Sequence, residues 1–262
     1  MGFLLSRRWA LFFLTVIVLA LGAVRLGDWQ FHRLDERRAD NRRITRNLAA
    51  PPVPASAVLA AGRGAQLADE WRKVTASGTW DDRSTVVVRY RTRDEKPGVD
   101  VVTPLVTSSG AAVLVDRGWM GAQNNGSDRP RTPSPTKGSV TVTGYVRLDA
   151  TGDATTVDGL SVRAISSRTI GEVVPYPVYG GFLLLTSQAP RASDGLGGPE
   201  LPEIDDGPHF FYGLQWWFFG LLAVVGFCYL AFDEYQQRRA PKPSSERPEG
   251  TTVDREHHAA HE

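Results

Sequence analysis

The sequence predicts a membrane protein in which two transmembrane helices flank a mainly antiparallel β domain, a small barrel or sandwich. Three observations carry that expectation. An apolar run from Trp9 to Trp29 sets two tryptophans 20 residues apart, which at about 1.5 Å per helical residue is roughly the 30 Å of a hydrocarbon core. A second run, Phe210 to Phe232, contains no charge and ends at Asp233. Between them, short segments alternate apolar with polar residues and are punctuated by Gly, Pro, Asn and Ser, as half-buried strands and turns require.

In chain order, residues 1–8 form a basic lead. Span 9–29 has two competitors. One is a cleaved signal peptide with Val18-Leu19-Ala20 at its cleavage site; the other is a twin-arginine signal read from Ser6-Arg7-Arg8. Apolar character that continues to Leu26, bracketed by tryptophans, favours a retained anchor, because signal h-regions run only about 7–15 residues. From Gln30 to Leu48 the chain is charged and helical, so the first helix continues beyond the span until Pro51-Pro52-Val53-Pro54 stops it. Ala55 to Ala68 reads as a weak helix or loop broken by Gly62 and Gly64.

The period then changes to two. Trp71–Trp80, Thr85–Arg91, Val101–Thr107 and Ala111–Met120 read as strands, with a hairpin at Ser108-Ser109-Gly110 and a sharp turn after Arg117 at Gly118. Gln123 to Gly138 is a long surface loop. Val140, Val142, Gly144, Val146 and Leu148 alternate with polar residues in the cleanest strand of all. Ser161–Ile165 and Gly181–Ser187 are further strands, with a helical turn near Ser166–Val173, and Ala189 to Pro208 connects back to the second span. The plan is therefore a lead (1–8), a span (9–29), a β-rich domain (30–208), a span (209–232) and a polar, disordered tail (233–262).

Composition narrows the function. A net charge of +1 over 262 residues gives no electrostatic case for nucleic acid. The single cysteine, Cys228, lies inside the second span, which removes disulfides, CxxC redox chemistry, thiolate clusters and covalent CxxCH haem. Orientation is contested by the charges themselves. Arg7, Arg8, Arg238, Arg239 and Lys242 flank the outer ends of the spans. Arg33, Arg37, Arg38, Arg42, Arg43 and Arg46 follow the first span, and by count they would hold the domain in the cytoplasm.

Histidine gives the sharpest clue. His257, His258 and His261 lie in the tail; His32 and His209 stand one in each collar closing the spans, and the strands carry none. Without histidine or thiol the β domain lacks the usual nucleophile–base pairs, which disfavours an enzyme. His209 follows Asp205-Asp206-Gly207-Pro208, an acidic cap with proline at the first helical position. The positive helix end favours the neutral imidazole that a metal or haem iron requires. Tyr212, Trp216 and Phe219 follow on one face as an aromatic wall for a flat ring, and Gly213 and Gly220 keep the helix thin. The same residues suit an interfacial aromatic belt, and the sequence leaves both readings open. His32, one turn after Asp28, is either a second ligand clasping the same iron or a solvated histidine. Arg89, Arg91, Arg93 and Arg117 could meet anionic groups such as haem propionates, or simply form a solvated face.

Several blocks, in order and spread over nearly the whole chain, resemble the surfeit locus protein 1 family of cytochrome c oxidase assembly factors. Leu26-Gly27-Asp28-Trp29-Gln30 with Arg33 resembles its motif after the first span. Val74 to Trp80, Arg89 and Gly98 to Leu105 resemble its first strands. Val113-Leu114-Val115-Asp116-Arg117-Gly118-Trp119 is the most specific block, with Asp116 where Asn is more usual; Val142 to Arg147 and His209 to Trp217 follow. Ala150 to Tyr179 fits poorly. The resemblance implies a non-enzymatic factor that helps haem a reach the oxidase catalytic subunit, with His209 as a candidate ligand. It also implies an extracytoplasmic β domain and cytoplasmic termini, and the lack of a transit peptide before the first span points to a bacterial plasma membrane. The catalytic subunit, haem a synthase and membrane lipid are the implied partners. A stable accessory subunit or envelope scaffold that binds only protein is the alternative.

Overall fold

The computed structural model describes residues 6–123, 129–192 and 194–239. Residues 1–5, residues 124–128 of the expected 123–138 loop, and the tail from 240 onward with its three histidines lie outside the described residues. The chain divides into two compact units, Met1–Arg33 with Pro208–Glu262, and Leu34–Gly207.

Two helices, α1 (Arg7–Ala49) and the last helix of the chain (His209–Arg239), are long and apolar enough to cross a membrane. Helix α1 is continuous through the first span and stops one turn short of Pro52, as the prolines dictate. In the first unit the helices meet through small residues. A Cβ on Gly27 would overlap the Trp217 ring, one on Gly213 would overlap Phe31, and Gly220 lies against Ala23 and Ala20. Each helix thus seats an aromatic of its partner on a glycine, the close approach on which helix association in lipid depends. Trp9, Phe12 and Phe13 cluster with Phe227 farther along the pair. Beyond Phe232 the expected disordered tail is corrected over its first seven residues. One-turn pairs from Gln237 to Asp233 and Arg238 to Glu234, both 2.8 Å, accompany the helix as far as Arg239.

The second unit contains β1 (Val53–Pro54), α2 (Ala55–Val58), β2 (Lys73–Trp80), β3 (Val86–Arg93), β4 (Lys96–Thr107), β5 (Ala112–Gly121), β6 (Ser139–Arg147), β7 (Ser161–Val162), α3 (Ser167–Gly171) and β8 (Val178–Ala189); the second membrane helix is then α4. The sheet order is β1-β2-β6-β8-β5-β4-β3-β7, and β2 also pairs with β4. That extra pairing, Trp80 with Leu105 through Gly78 with Thr107, closes β2, β6, β8, β5 and β4 into a five-stranded barrel. Most pairs are antiparallel as expected, but β5–β8, β1–β2 and β3–β7 are parallel.

Two cores follow from strand alternation. Val74, Ala76, Trp80, Leu105, Val113, Val115, Val140, Val142, Val146 and Leu183 form one cluster. The opposite parity of β4 and β5, Val102 and Leu114, joins Val86 and Val88 of β3 and the irregular segment bearing Val162, Ile165, Ile170 and Val174 in another. Boundaries shift for local reasons. Trp71 precedes β2 at φ +66°, and β4 begins at Lys96 because Asp94-Glu95 make a two-residue turn with both φ positive. Only Ser161–Val162 of the expected 161–165 strand pairs, whereas β8 extends from 178 to 189.

Candidate functional site

Helix α4 begins at His209. Its first backbone bond, Tyr212 N–H to the Pro208 carbonyl at 3.1 Å, makes Pro208 the cap residue and His209 the first helical one, correcting the expected position of the proline by one. The expected acidic cap is also corrected. The Asp205 carboxylate meets Arg37 Nη2 at 3.3 Å and the Gly207 N–H at 3.1 Å, while Asp206 meets Arg38 Nε at 2.9 Å.

The His209 Nδ1 lies 2.9 Å from Gln30 Oε1. An amide oxygen only accepts, so Nδ1 donates, and in the neutral ring Nε2 then keeps its lone pair. This is the arrangement in which a neighbour fixes the tautomer and ring direction of a ligating imidazole. Gln30 belongs to the motif after the first span, but its role as the orienter of His209 depends on the register of the two helices. Tyr212 is 48% exposed, and Trp216 stands edge-on to Phe219 at 5.9 Å. The shallow groove on α4 lies on another face, lined by Phe211, Leu214, Gln215, Trp217, Phe218 and Leu221, so the concave aromatic surface is not the wall expected from Tyr212, Trp216 and Phe219.

His32 does not join His209. It is exposed, and its Nδ1 donates to the Asp28 carbonyl oxygen at 2.7 Å rather than to the carboxylate. Two residues along a helix is about 200° of rotation, so His32 projects away from the side on which Gln30 receives His209. The two-histidine clasp is thereby corrected to a single candidate ligand. Trp29 is 53% exposed with the Arg33 guanidinium 6.0 Å from its ring, while Gly27 is taken up by packing against Trp217.

In the second unit the motif residues fasten the barrel. Strand β5 does not end at Arg117: Val101 faces Gly118 and Val102 faces Asp116, so Arg117 is the extra residue of a β-bulge and the strand continues to Gly121. The Arg117 side chain is 1% exposed, 2.6 Å from Asp194, and donates to the Pro133 carbonyl at 3.0 Å. Gly118 has φ +132°, and a Cβ there would run into the Gly197 carbonyl oxygen. That carbonyl accepts from the Trp119 N–H at 3.0 Å, and Gly197 N–H returns a bond of 2.8 Å. The Trp119 ring leaves no room for a Cβ on Gly98. Arg91 meets Asp100 at 2.9 Å; Arg93 meets Asp100 at 3.6 Å and Glu200 at 3.5 Å. Three of the four arginines offered for an anionic ligand are thus committed to internal carboxylates. Arg89 lies half-buried on the same strand, β3.

Burial pushes the Asp116 carboxyl up to about 7, with repulsion from Asp100 adding to it and the Gly118 N–H, Arg93 and Arg91 opposing. Asp100 is also raised, chiefly by burial, against the pull of Arg91 and Arg93.

Comparison with known proteins places this arrangement. Residues 17–221 match the SURF1 family, from inside the first span to within the second. SURF1-like proteins of Mycobacterium tuberculosis and Mycobacterium bovis are 31% identical over 255 residues, covering 95% of this chain and 93% of theirs. A SURF1-like protein of Dictyostelium discoideum is 29% identical over 114 residues, 42% of this chain and 41% of its own. With a match that reaches from one membrane helix to the other and takes in the whole barrel, the chain belongs to the SURF1 family.

Proposed function

We propose that this protein is a non-enzymatic assembly factor for a haem-a-containing cytochrome c oxidase, holding haem a in transit to the catalytic subunit through His209. The observation that carries the proposal is the Gln30–His209 bond, which aims one oriented imidazole lone pair from the first turn of a membrane helix. Among the described residues no three His, Cys, Asp or Glu side chains gather to hold a bare metal ion. A single imidazole suits a porphyrin iron, whose macrocycle supplies the other in-plane ligands. Tyr212 and Trp216 would flank the ring. The catalytic subunit is the recipient, haem a synthase the donor, and bilayer lipid surrounds both helices.

The test is the absorption spectrum of the full chain purified in detergent from cells that make haem a. The expected result is a haem a spectrum that His209→Ala reduces without lowering the protein level. An unchanged spectrum in His209→Ala rules out ligation by this residue, and stable retention of the chain in mature oxidase without haem favours an accessory subunit.

The proposal includes an extracytoplasmic β domain and cytoplasmic termini in a bacterial plasma membrane. Long segments are translocated largely regardless of charge. Of the six arginines that argue otherwise, Arg37, Arg38 and Arg43 are ion-paired to Asp205, Asp206, and Asp40 with Glu70. A reporter inserted after Pro135 is expected to be active only in the form that matures outside the cytoplasm. Activity of a cytoplasm-only reporter there overturns the orientation.

A further inference from the structure

The β unit has a recess unrelated to the membrane helices, where the loop at Gly62-Arg63-Gly64 faces the start of α3 and the first residues of β8. Its two cations are held by separate devices. The loop is pinned to β8 by the Gly180 N–H to Ala60 carbonyl bond at 3.1 Å and by the Ala61–Tyr179 bridge; a Cβ on Gly180 would run into the Arg63 carbonyl. Arg168 follows Ser167, whose N–H and hydroxyl both donate to the Asp149 carboxylate, at 2.6 and 2.5 Å. Both residues line the recess and are exposed, and neither guanidinium has a hydrogen bond or ion pair among the described residues.

A second observation points independently to a ligand. Ser166 also lines the recess and is only 3% exposed, yet its hydroxyl makes no cap bond to α3 and no other hydrogen bond among the described residues. The oxygen is not sealed off, and a hydroxyl with no bond inside the protein, on a residue that lines the recess, is open to an acceptor there beside Arg63 and Arg168. The charges set the valence of that acceptor. Two arginines and one carboxylate, Asp149, line the recess, an excess of one positive charge.

We propose that this recess binds a singly charged oxyanion, a phosphodiester or a carboxylate, through Arg63, Arg168 and the Ser166 hydroxyl. Asp149 and Ser167 hold α3 in place and do not touch the ligand. The site lies at the edge of the 150–179 segment, the part of the chain that least resembles the family, so it is independent of the haem proposal.

The test is phenylglyoxal labelling of arginines in the full chain in detergent, read residue by residue by peptide mass spectrometry, with dimethyl phosphate or acetate as the probe. At ten times the dissociation constant, mass action lowers labelling of Arg63 and Arg168 by about tenfold. Arg42 and Arg46, exposed on α1 and without an ion pair among the described residues, are the controls and should keep their labelling. Protection by dimethyl phosphate alone identifies a phosphodiester, by acetate alone a carboxylate, and either supports the site. Ser166→Ala removes no bond within the protein, so it should keep its fold by circular dichroism and weaken protection severalfold. Absence of protection with both probes, equal protection of Arg42 and Arg46, or full protection in Ser166→Ala overturns the proposal.

Discussion

The barrel and the helical pair use the same kinds of residue in opposite ways. In the barrel, Arg117, Gly118 and Trp119 are consumed by the structure: a buried ion pair, a backbone conformation closed to side chains and a cross-bridge to Gly197. In the helical pair, Gly27 and Gly213 are likewise consumed by packing, but His209 is oriented by Gln30 without being enclosed, and Trp29 and Tyr212 stay largely open. The block most diagnostic in sequence is therefore a fastening, and the proposed ligand sits in a plainer stretch. Specificity of a motif and participation in chemistry are different properties, and burial with partner count separates them.

The largest effect is expected where the barrel is most committed. Gly118→Glu must adopt φ +132°, push a Cβ against the Gly197 carbonyl and break the Trp119–Gly197 bridge. Backbone strain of this kind costs about 1–3 kcal/mol, and the lost bridge and buried charge bring the total to about 4 kcal/mol or more. Limited proteolysis and thermal unfolding of the detergent-solubilised protein are expected to show a loosened β domain. Gly118→Ala, lacking the charge, should retain most of the loss. Native-like protease resistance in both variants would erase the contrast, since the block would then not be a fastening.

A smaller effect, with a definite pH signature, is expected at Asp116. Its folded carboxyl titrates near 7, well above an unfolded aspartate near 3.8. Between about pH 4 and 7 the folded state therefore holds a proton that the unfolded chain has lost, and stability falls as pH rises through that window. Asp116→Asn keeps an oxygen to accept from the Gly118 N–H and removes both the buried charge and its repulsion with Asp100. A full shift is worth about 1.4 kcal/mol per unit, but the charge is shared with Asp100, Arg91 and Arg93, so a gain of about 1–2 kcal/mol at pH 8 is expected, with little change at pH 4. Equal pH slopes for the two proteins, measured by denaturant unfolding, would place the titration elsewhere.

How much of this was legible depends on whether the determining contact is local. The barrel strands were, because Val74, Ala76 and Trp80, or Val140, Val142 and Val146, line one core at period two. Strand β5 reads as a continuous apolar run because Val113 and Val115 face one core and Leu114 the other. The second core was not legible: Val162, Ile165, Ile170 and Val174 lie in irregular chain, where burial follows the path and not a period. The Asp94-Glu95 turn was missed because Glu is not a usual choice at positive φ, where such a pair ordinarily has Gly. Parallel pairing of β5 with β8 and closure through β2–β4 are set by the whole chain path. At the site, His209 was legible as an isolated histidine at a helix start. Its partner Gln30, 179 residues away, was not, and the face on which His32 falls becomes decisive only once that bond is known.

That bond supplies the finest test of the contrast. If the helical pair carries chemistry on residues it does not need for stability, three substitutions should separate by function while leaving unfolding nearly unchanged. His209→Ala removes the ligand and, as a half-buried side chain at a helix start, should shift stability by only about 0.5 kcal/mol. Gln30→Ala leaves the imidazole but frees its tautomer and direction; outer partners of this sort are typically worth about 10–100-fold in affinity, so haem a should be retained but lost faster on dilution. His32→Ala takes away a side chain whose bond among the described residues is to the Asp28 carbonyl and which is turned from the His209 side, so its haem retention should match the parent. The double variant His209→Ala with Gln30→Ala should be no worse than His209→Ala alone, because the orienter has nothing left to orient. Measured as haem a per protein after purification, the expected order is parent equal to His32→Ala, then Gln30→Ala, then His209→Ala. A loss in His32→Ala as large as in His209→Ala would restore the two-histidine clasp. A Gln30→Ala protein indistinguishable from the parent would mean that the 2.9 Å bond orients nothing that haem depends on.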